Sequence, residues 1–317
     1  DVPGRTIAEK LKHLNEVDDS LRRFLVFEPR GAAQMSTCLL FPPTRPDADV
    51  GFIILQPDKA HAMSGSNSIC LTTVVLETGI LPMQEPETIV RIDTASGIVT
   101  ARAQCRNGKC ERVTLTMNPS YTYALDVSVD VEGFGSVKVD IAYGGVFYAL
   151  IDPEQFGLKI KPEQARRLVA AGTAVHRALN AQLTVVHPEI PEIHGIAYTM
   201  FAGRESNGEL VGATIMAPGR IDRSPCGTGN SARLAAAASR GLARCGDIFT
   251  ARSIIGSSFE VTYAAETTVS GRPAVQPVIS GRGWIHGIHQ IGVDPSDPFQ
   301  QGYWVADTWG EAADLLK

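Results

Sequence analysis

Short runs in which β-branched and polar residues alternate, punctuated by Gly, Pro and Asn, make up most of the chain and predict strands. They lie at residues 50–55, 88–92, 98–103, 113–117, 137–141, 195–201 and 259–263. Helical periodicity is rarer. It occurs at 7–14 and most clearly at 162–182, where a proline opens the segment and Leu168, Val169, Ala171, Val175 and Leu179 recur at helical intervals. Two more stretches, 64–77 and 227–239, read as helices that are apolar or small on most sides, the pattern of a helix surrounded by protein. Many strands with few helices predict an α+β chain.

Those last two stretches resemble each other. The first runs Ser64-Gly65-Ser66-Asn67-Ser68, then apolar residues to Leu76, then Gly79. The second runs Cys226-Gly227-Thr228-Gly229-Asn230-Ser231, then small apolar residues to Ala238, then Gly241. The closing glycine falls fifteen residues after Ser64 and fifteen after Cys226. Glycine tolerates the left-handed conformation that ends many helices, so two helices of nearly equal length are expected. The chain reads as two related halves, 1–118 around the Ser64 helix and 119–289 around the Cys226 helix, with a segment from about 290 to 317 returning to the first. Its 317 residues suit two domains at roughly 100–200 residues each.

The mouth of such a helix has a definite chemistry. Its first-turn N–H groups are unpaired and carry partial positive charge, so they attract anions. Gly65, Gly227 and Gly229 let backbone approach a ligand, and a carboxylate is held there without arginine. The same field is expected to lower the Cys226 thiol toward neutrality and make it a thiolate base or thiol acid. Ser64 gains less, because a hydroxyl needs a neighbouring base or relay to ionise. Small-Gly-small turns are common as plain caps, but two matched copies favour function.

Composition changes little and excludes much. The chain is 44% hydrophobic and 20% charged with a formal net charge of -5, which offers no basic face for nucleic acid. No apolar run approaches the ~20 residues of a membrane span, and the first residues lack a signal peptide's order, so a soluble cytoplasmic protein is expected. The six cysteines are too scattered for a disulfide framework. Neither a CxxC pair nor a Cys/His cluster occurs, so no metal is expected. Residues 106–109 read as a hairpin turn between Cys105 and Cys110.

The run Asp222-Arg223-Ser224-Pro225-Cys226-Gly227-Thr228-Gly229, with Met63-Ser64-Gly65-Ser66-Asn67-Ser68-Ile69, resembles the two signatures of the proline racemase family. Glu28-Pro29-Arg30-Gly31, Asn118-Pro119-Ser120-Tyr121 and Tyr143-Gly144-Gly145-Val146-Phe147-Tyr148 support the resemblance. It implies a diaminopimelate-epimerase-like fold of two pseudo-symmetric halves, each wrapping strands around a central helix, with the active site between them. It also implies work on the α-carbon of a proline-like amino acid without pyridoxal phosphate or metal. Carried over by position, Ser64 and Cys226 fall on the acid/base pair and face each other across one small pocket. Gly65, Ser66, Gly227 and Thr228 fall on the carboxylate-holding loops. Asp222 falls on the residue that meets the ring nitrogen, and His194 on a substrate-contacting histidine. A homodimer is the assembly to test.

Two departures stand out. Racemases and epimerases of the family carry cysteine at both catalytic positions, the first followed by Gly-His; here the residues are Ser64 and Ser66. The sequence also begins after the point where the family has a strand with a His-Thr-x-Gly-Glu-Pro type motif. Inversion needs a competent base on each face of the ring, and serine makes that hard. Loss of water from trans-3-hydroxy-L-proline concentrates chemistry on one face, and members with serine first and cysteine second are associated with it. The expectation is therefore dehydration to Δ1-pyrroline-2-carboxylate, with 4-hydroxyproline 2-epimerisation or proline racemisation as the alternative and a non-catalytic binder as the third reading. Among the remaining polar residues, His61 and Asp58 read as loop groups able to tune Ser64, Arg30 as a turn-fixing charge, and His286 and His289 as structural residues flanking a Gly-rich strand.

Overall fold

The computed structural model describes residues 1–191 and 193–309. Contacts divide the chain into two units: Asp1–Leu115 together with the segment from Gly281, and Thr116–Ser280. The part of the expected returning segment beyond residue 309 lies outside the described residues.

The first unit opens with helices α1 (Ile7–Glu16) and α2 (Ser20–Val26). Its strands are β1 (Thr37–Phe41), β2 (Val50–Leu55), β3 (Ala60–His61), β4 (Glu87–Thr94), β5 (Gly97–Arg106) and β6 (Lys109–Thr116). Between β3 and β4 runs α3 (Gly65–Glu77). Neighbours pair antiparallel except β2 and β4, which are parallel and therefore need the crossover that α3 supplies. At the β5–β6 hairpin Asn107 and Gly108 both take positive φ, 54° and 70°, the pair of angles a two-residue turn requires. Cys105 and Cys110 lie opposite one another there as free thiols.

The second unit contains β7 (Ser120–Val131), β8 (Gly135–Tyr143), β9 (Phe147–Ile151), β10 (Tyr198–Arg204), β11 (Leu210–Met216), β12 (Arg220–Ile221), β13 (Ile248–Ser253), β14 (Ser258–Val269) and β15 (Arg272–Gly281). Helix α4 (Ala165–Gln182) crosses between the parallel pair β9 and β10, and α5 (Gly227–Ser239) between the parallel pair β11 and β13. Pairing of Ala274 with Tyr121 and Val275 with Ser120 joins β15 back to β7, so the strands of this unit close on themselves. Closure leaves strands such as β9 buried on both faces, and period-two alternation sorts their side chains into two cores. Phe147, Ala149 and Ile151 pack with Leu168, Val175 and Leu179 of α4. Tyr148 and Leu150 pack with Ala232 and Ala236 of α5, Met200 and Cys226.

Both α3 and α5 are enclosed helices, which explains their sequences. Buried hydroxyls satisfy themselves on the preceding turn: Ser68 donates to the Ser64 carbonyl, Thr72 to that of Ser68, Thr73 to that of Ile69 and Ser231 to that of Gly227. Packing around α5 is tight enough to require glycine across from it, since a Cβ on Gly144 would lie 2.1 Å from the Thr228 carbonyl oxygen.

Three expectations change. Helix α2 is a short element that the helical pattern passed over. The proline-led segment starts as a 3-10 turn, Pro162–Gln164, before α4. His286 and His289 flank no strand: residues 282–294 are irregular and Trp284 is 70% exposed. Gly283, Gly287 and Gly292 make ordering that run entropically costly, and no neighbouring strand pairs with it among the described residues. Arg30 does fix a turn, donating to the carbonyls of Phe24, Phe299 and Gln300. Among the described residues no helix is long and apolar enough to cross a membrane.

Candidate active site

Ser64 is the N-cap of α3, with extended backbone and a side chain that accepts from the backbone N–H of Asn67 at 3.5 Å. The Asn67 side-chain amide donates to the same oxygen at 2.9 Å, and the Ser66 hydroxyl lies 3.4 Å away. Ser64 and Ser66 are half-buried, and Gly65 is buried as the first helical residue. The oxygen thus sits among donors at the positive end of a helix, a setting that favours charge developing on it. His61 lies on β3 and not in a loop, and its ring nitrogen is within 3.1 and 3.2 Å of the two Asp58 carboxylate oxygens.

Cys226 takes the equivalent place on α5 with a different backbone. Its φ is 68° and ψ 98°, a region that costs a non-glycine residue on the order of 1–3 kcal/mol and is found where surrounding structure enforces it. The thiol makes no cap. Ser224 accepts from the Cys226 N–H at 3.1 Å, and Asn230 donates to the carbonyls of Pro225 and Cys226 at 2.6 and 3.0 Å, so the backbone leading into the helix is held from both sides. The sulfur is left 3.3 Å from the Tyr148 hydroxyl, which is itself 2.7 Å from the Thr228 hydroxyl. Gly229 makes this approach possible, because a Cβ there would sit 2.9 Å from the sulfur and 2.8 Å from Met200 Sδ. At that position glycine serves packing within the unit.

The thiol does not follow the expected fall toward neutrality. Burial pushes the Cys226 pKa up, the Asp222 carboxylate adds to the rise, and the hydrogen bond with Tyr148 opposes it. The helix field acts on a thiol that is only 6% exposed, and burial outweighs it. Burial also raises Asp222, although its two oxygens accept from the Ser224 backbone N–H at 2.8 Å and hydroxyl at 2.9 Å.

Asp222, Ser224, Cys226, Thr228 and Tyr148 thereby form one connected cluster with Gly227 at the helix start. His194 takes no part in it; it is exposed and forms an isolated bridge with Val186. Tyr148 and Ser224 lie within the family motifs but carry no role on sequence grounds; the signal for Tyr148 is a phenol inside an uninterrupted apolar strand, since a buried hydroxyl there must find a partner. Among the described residues no group of three or more His, Cys, Asp or Glu side chains could hold a metal ion.

Residues 1–304 match the model of the proline racemase family. The chain belongs to that family. A relative from Agrobacterium fabrum named 4-hydroxyproline 2-epimerase is 53% identical over 314 residues, 98% of this chain and 91% of that protein. A crystal structure of a hydroxyproline epimerase from Agrobacterium vitis with bound trans-4-hydroxy-L-proline superposes with a TM-score of 0.93 at 53% identity, covering 99% of this chain and 92% of that one. A probable proline racemase from Agrobacterium radiobacter K84 with bound carbonate gives a TM-score of 0.93 at 54% identity, covering 99% and 93%. The α+β, diaminopimelate-epimerase-like fold expected from the sequence is therefore the fold of this proline racemase family member.

These relatives overturn one expectation. Dehydration of trans-3-hydroxy-L-proline rested on the weakness of serine as a base, yet family members more than half identical across nearly the whole chain are named as epimerases. The residue type at position 64 does not by itself distinguish the two reactions; the Ser64 oxygen accepts from the Asn67 amide and lies beside the Ser66 hydroxyl, neighbours that residue type does not reveal.

Proposed function

We propose that this chain is a cofactor-independent 4-hydroxyproline 2-epimerase. The supporting observation is that relatives 53–54% identical over at least 98% of this chain carry that name. In this reading Ser64 and Cys226 are the two acid/base groups. One takes the C2 proton, the C–H electron pair delocalises into the substrate carboxylate, and the other returns a proton to the opposite face. The backbone of Gly65, Ser66, Gly227 and Thr228 holds the carboxylate at the two helix starts. Asp222 meets the ring ammonium, a charge that would offset the cost of keeping its buried carboxylate ionised. His194 contacts substrate in the same reading.

The test is incubation with trans-4-hydroxy-L-proline in heavy water, followed by NMR and polarimetry. The expected product is cis-4-hydroxy-D-proline carrying one deuterium at C2. Absence of exchange and inversion on 4-hydroxyproline, with racemisation of L-proline instead, would transfer the assignment to proline racemase.

A further inference from the structure

Tyr148 is 1% exposed, yet its hydroxyl lies between two other hydrogen-bonding groups: Cys226 Sγ at 3.3 Å and Thr228 Oγ1 at 2.7 Å. Thr228 Oγ1 is 3.9 Å from the same sulfur, so the three atoms form a closed triangle. A phenol and an alcohol each carry one hydrogen and accept as well. With the thiol protonated, S–H donates to Tyr148 and Tyr148 donates to Thr228. With the thiolate, Tyr148 donates to sulfur and Thr228 donates to Tyr148. Rotation of two O–H bonds exchanges these patterns without moving a heavy atom.

We infer that Tyr148 is a positioning residue that partners the Cys226 sulfur in both of its protonation states, with Thr228 as the second link. The inference rests on the epimerase reading of Cys226, since an epimerase needs the same group as base in one direction and acid in the other. A rigid partner that serves both states keeps the sulfur in one place throughout. The strained backbone of Cys226 and the missing Cβ of Gly229 fit this purpose, because both bring the sulfur to the phenol. The other charged or titratable groups bearing on this cluster are Asp222, with Arg220 and Arg223 beside it, and Tyr198, whose ring centroid is 5.6 Å from that of Tyr148.

Tyr148→Phe keeps the ring and removes the hydroxyl. On the full chain without substrate, the pH dependence of iodoacetamide alkylation of Cys226, followed on its peptide by mass spectrometry, should move to higher pH. In the epimerase assay kcat should fall roughly 10-fold or more in both directions with KM little changed, as for loss of a hydrogen bond to a charged group. Thr228→Val should give a smaller shift in the same direction, absent in the Tyr148→Phe background, and Thr228→Ser should restore the wild-type profile. An unchanged alkylation profile in both Tyr148→Phe and Thr228→Val overturns the inference. So does a shift to lower pH. If the wild-type protein does not epimerise 4-hydroxyproline, the functional reading falls while the alkylation profiles still decide whether Tyr148 partners the sulfur.

Discussion

At the mouth of α3 the Ser64 side chain caps its own helix from ordinary extended backbone, whereas at the mouth of α5 the Cys226 side chain caps nothing and its backbone is strained. Both helices span thirteen residues, and both end before a glycine of positive φ, 75° at Gly79 and 70° at Gly241. The contrast lies in how the first residue is used. In the first unit the Ser64 hydroxyl serves the helix directly. In the second, Ser224 and Asn230 hold the backbone that leads into the helix, and the thiol faces Tyr148. A reactive side chain that does not cap can be tuned separately from the stability of its helix.

The largest effects should come from removing either group. Cys226→Ala and Ser64→Ala are each expected to lower epimerisation about 10²–10⁴-fold, the usual range for an acid/base group. Only Ser64→Ala should also lose about 1 kcal/mol of stability in urea unfolding, because only it removes a cap. A Ser64→Ala protein that keeps the wild-type rate would dissolve the pairing of the two mouths. Next in size is Gly229→Ala, whose new Cβ crowds the sulfur and Met200 and should cost about 1–3 kcal/mol, with a fall in kcat beyond what the lost stability accounts for.

A pH series sharpens the contrast further. Burial raises the thiol of Cys226, so the fraction of thiolate, and with it kcat/KM, should still be rising above neutral pH; a profile already flat at pH 7 would contradict this. The sign for stability is opposite. Cys110 is pushed up to about 11 from 9.0 by burial, and Cys226 is raised as well. A folded state that holds thiols protonated keeps that advantage below their unfolded pKa and loses it as pH rises through the folded values. Melting temperature should therefore decline above about pH 9. Cys226→Ala should reduce the decline. The smallest change in stability is expected for Cys226→Gly, where relief of the side-chain penalty at φ 68° and loss of the buried thiol's packing oppose each other; thermal unfolding should shift by no more than about 1 kcal/mol, while epimerisation falls as in Cys226→Ala.

Much of the scaffold was legible because local rules dictated it. The span of β2 at 50–55 and of α5 at 227–239 followed from apolar runs bounded by turn residues. The turn at 106–109 followed from its Asn-Gly pair. Helix α2 was hidden because seven residues give too few repeats for periodicity to register. The run around His286 and His289 was misread because pairing needs a partner, which no single segment reveals. The expectation of dehydration failed on other grounds: it rested on one residue type, the serine at position 64, while relatives more than half identical across the chain are named epimerases.

The sequence by itself determined the two matched helices, the residues at their mouths and the family they resemble, since each depends on residue type and spacing along the chain. Tertiary structure alone decided that burial would raise the Cys226 thiol against the helix field. It also decided that Tyr148 and Thr228 would meet the sulfur and that Gly229 would be needed to let them. These are distances and solvation between residues as far apart as 78 positions, and only the closed strands of the second unit bring them together.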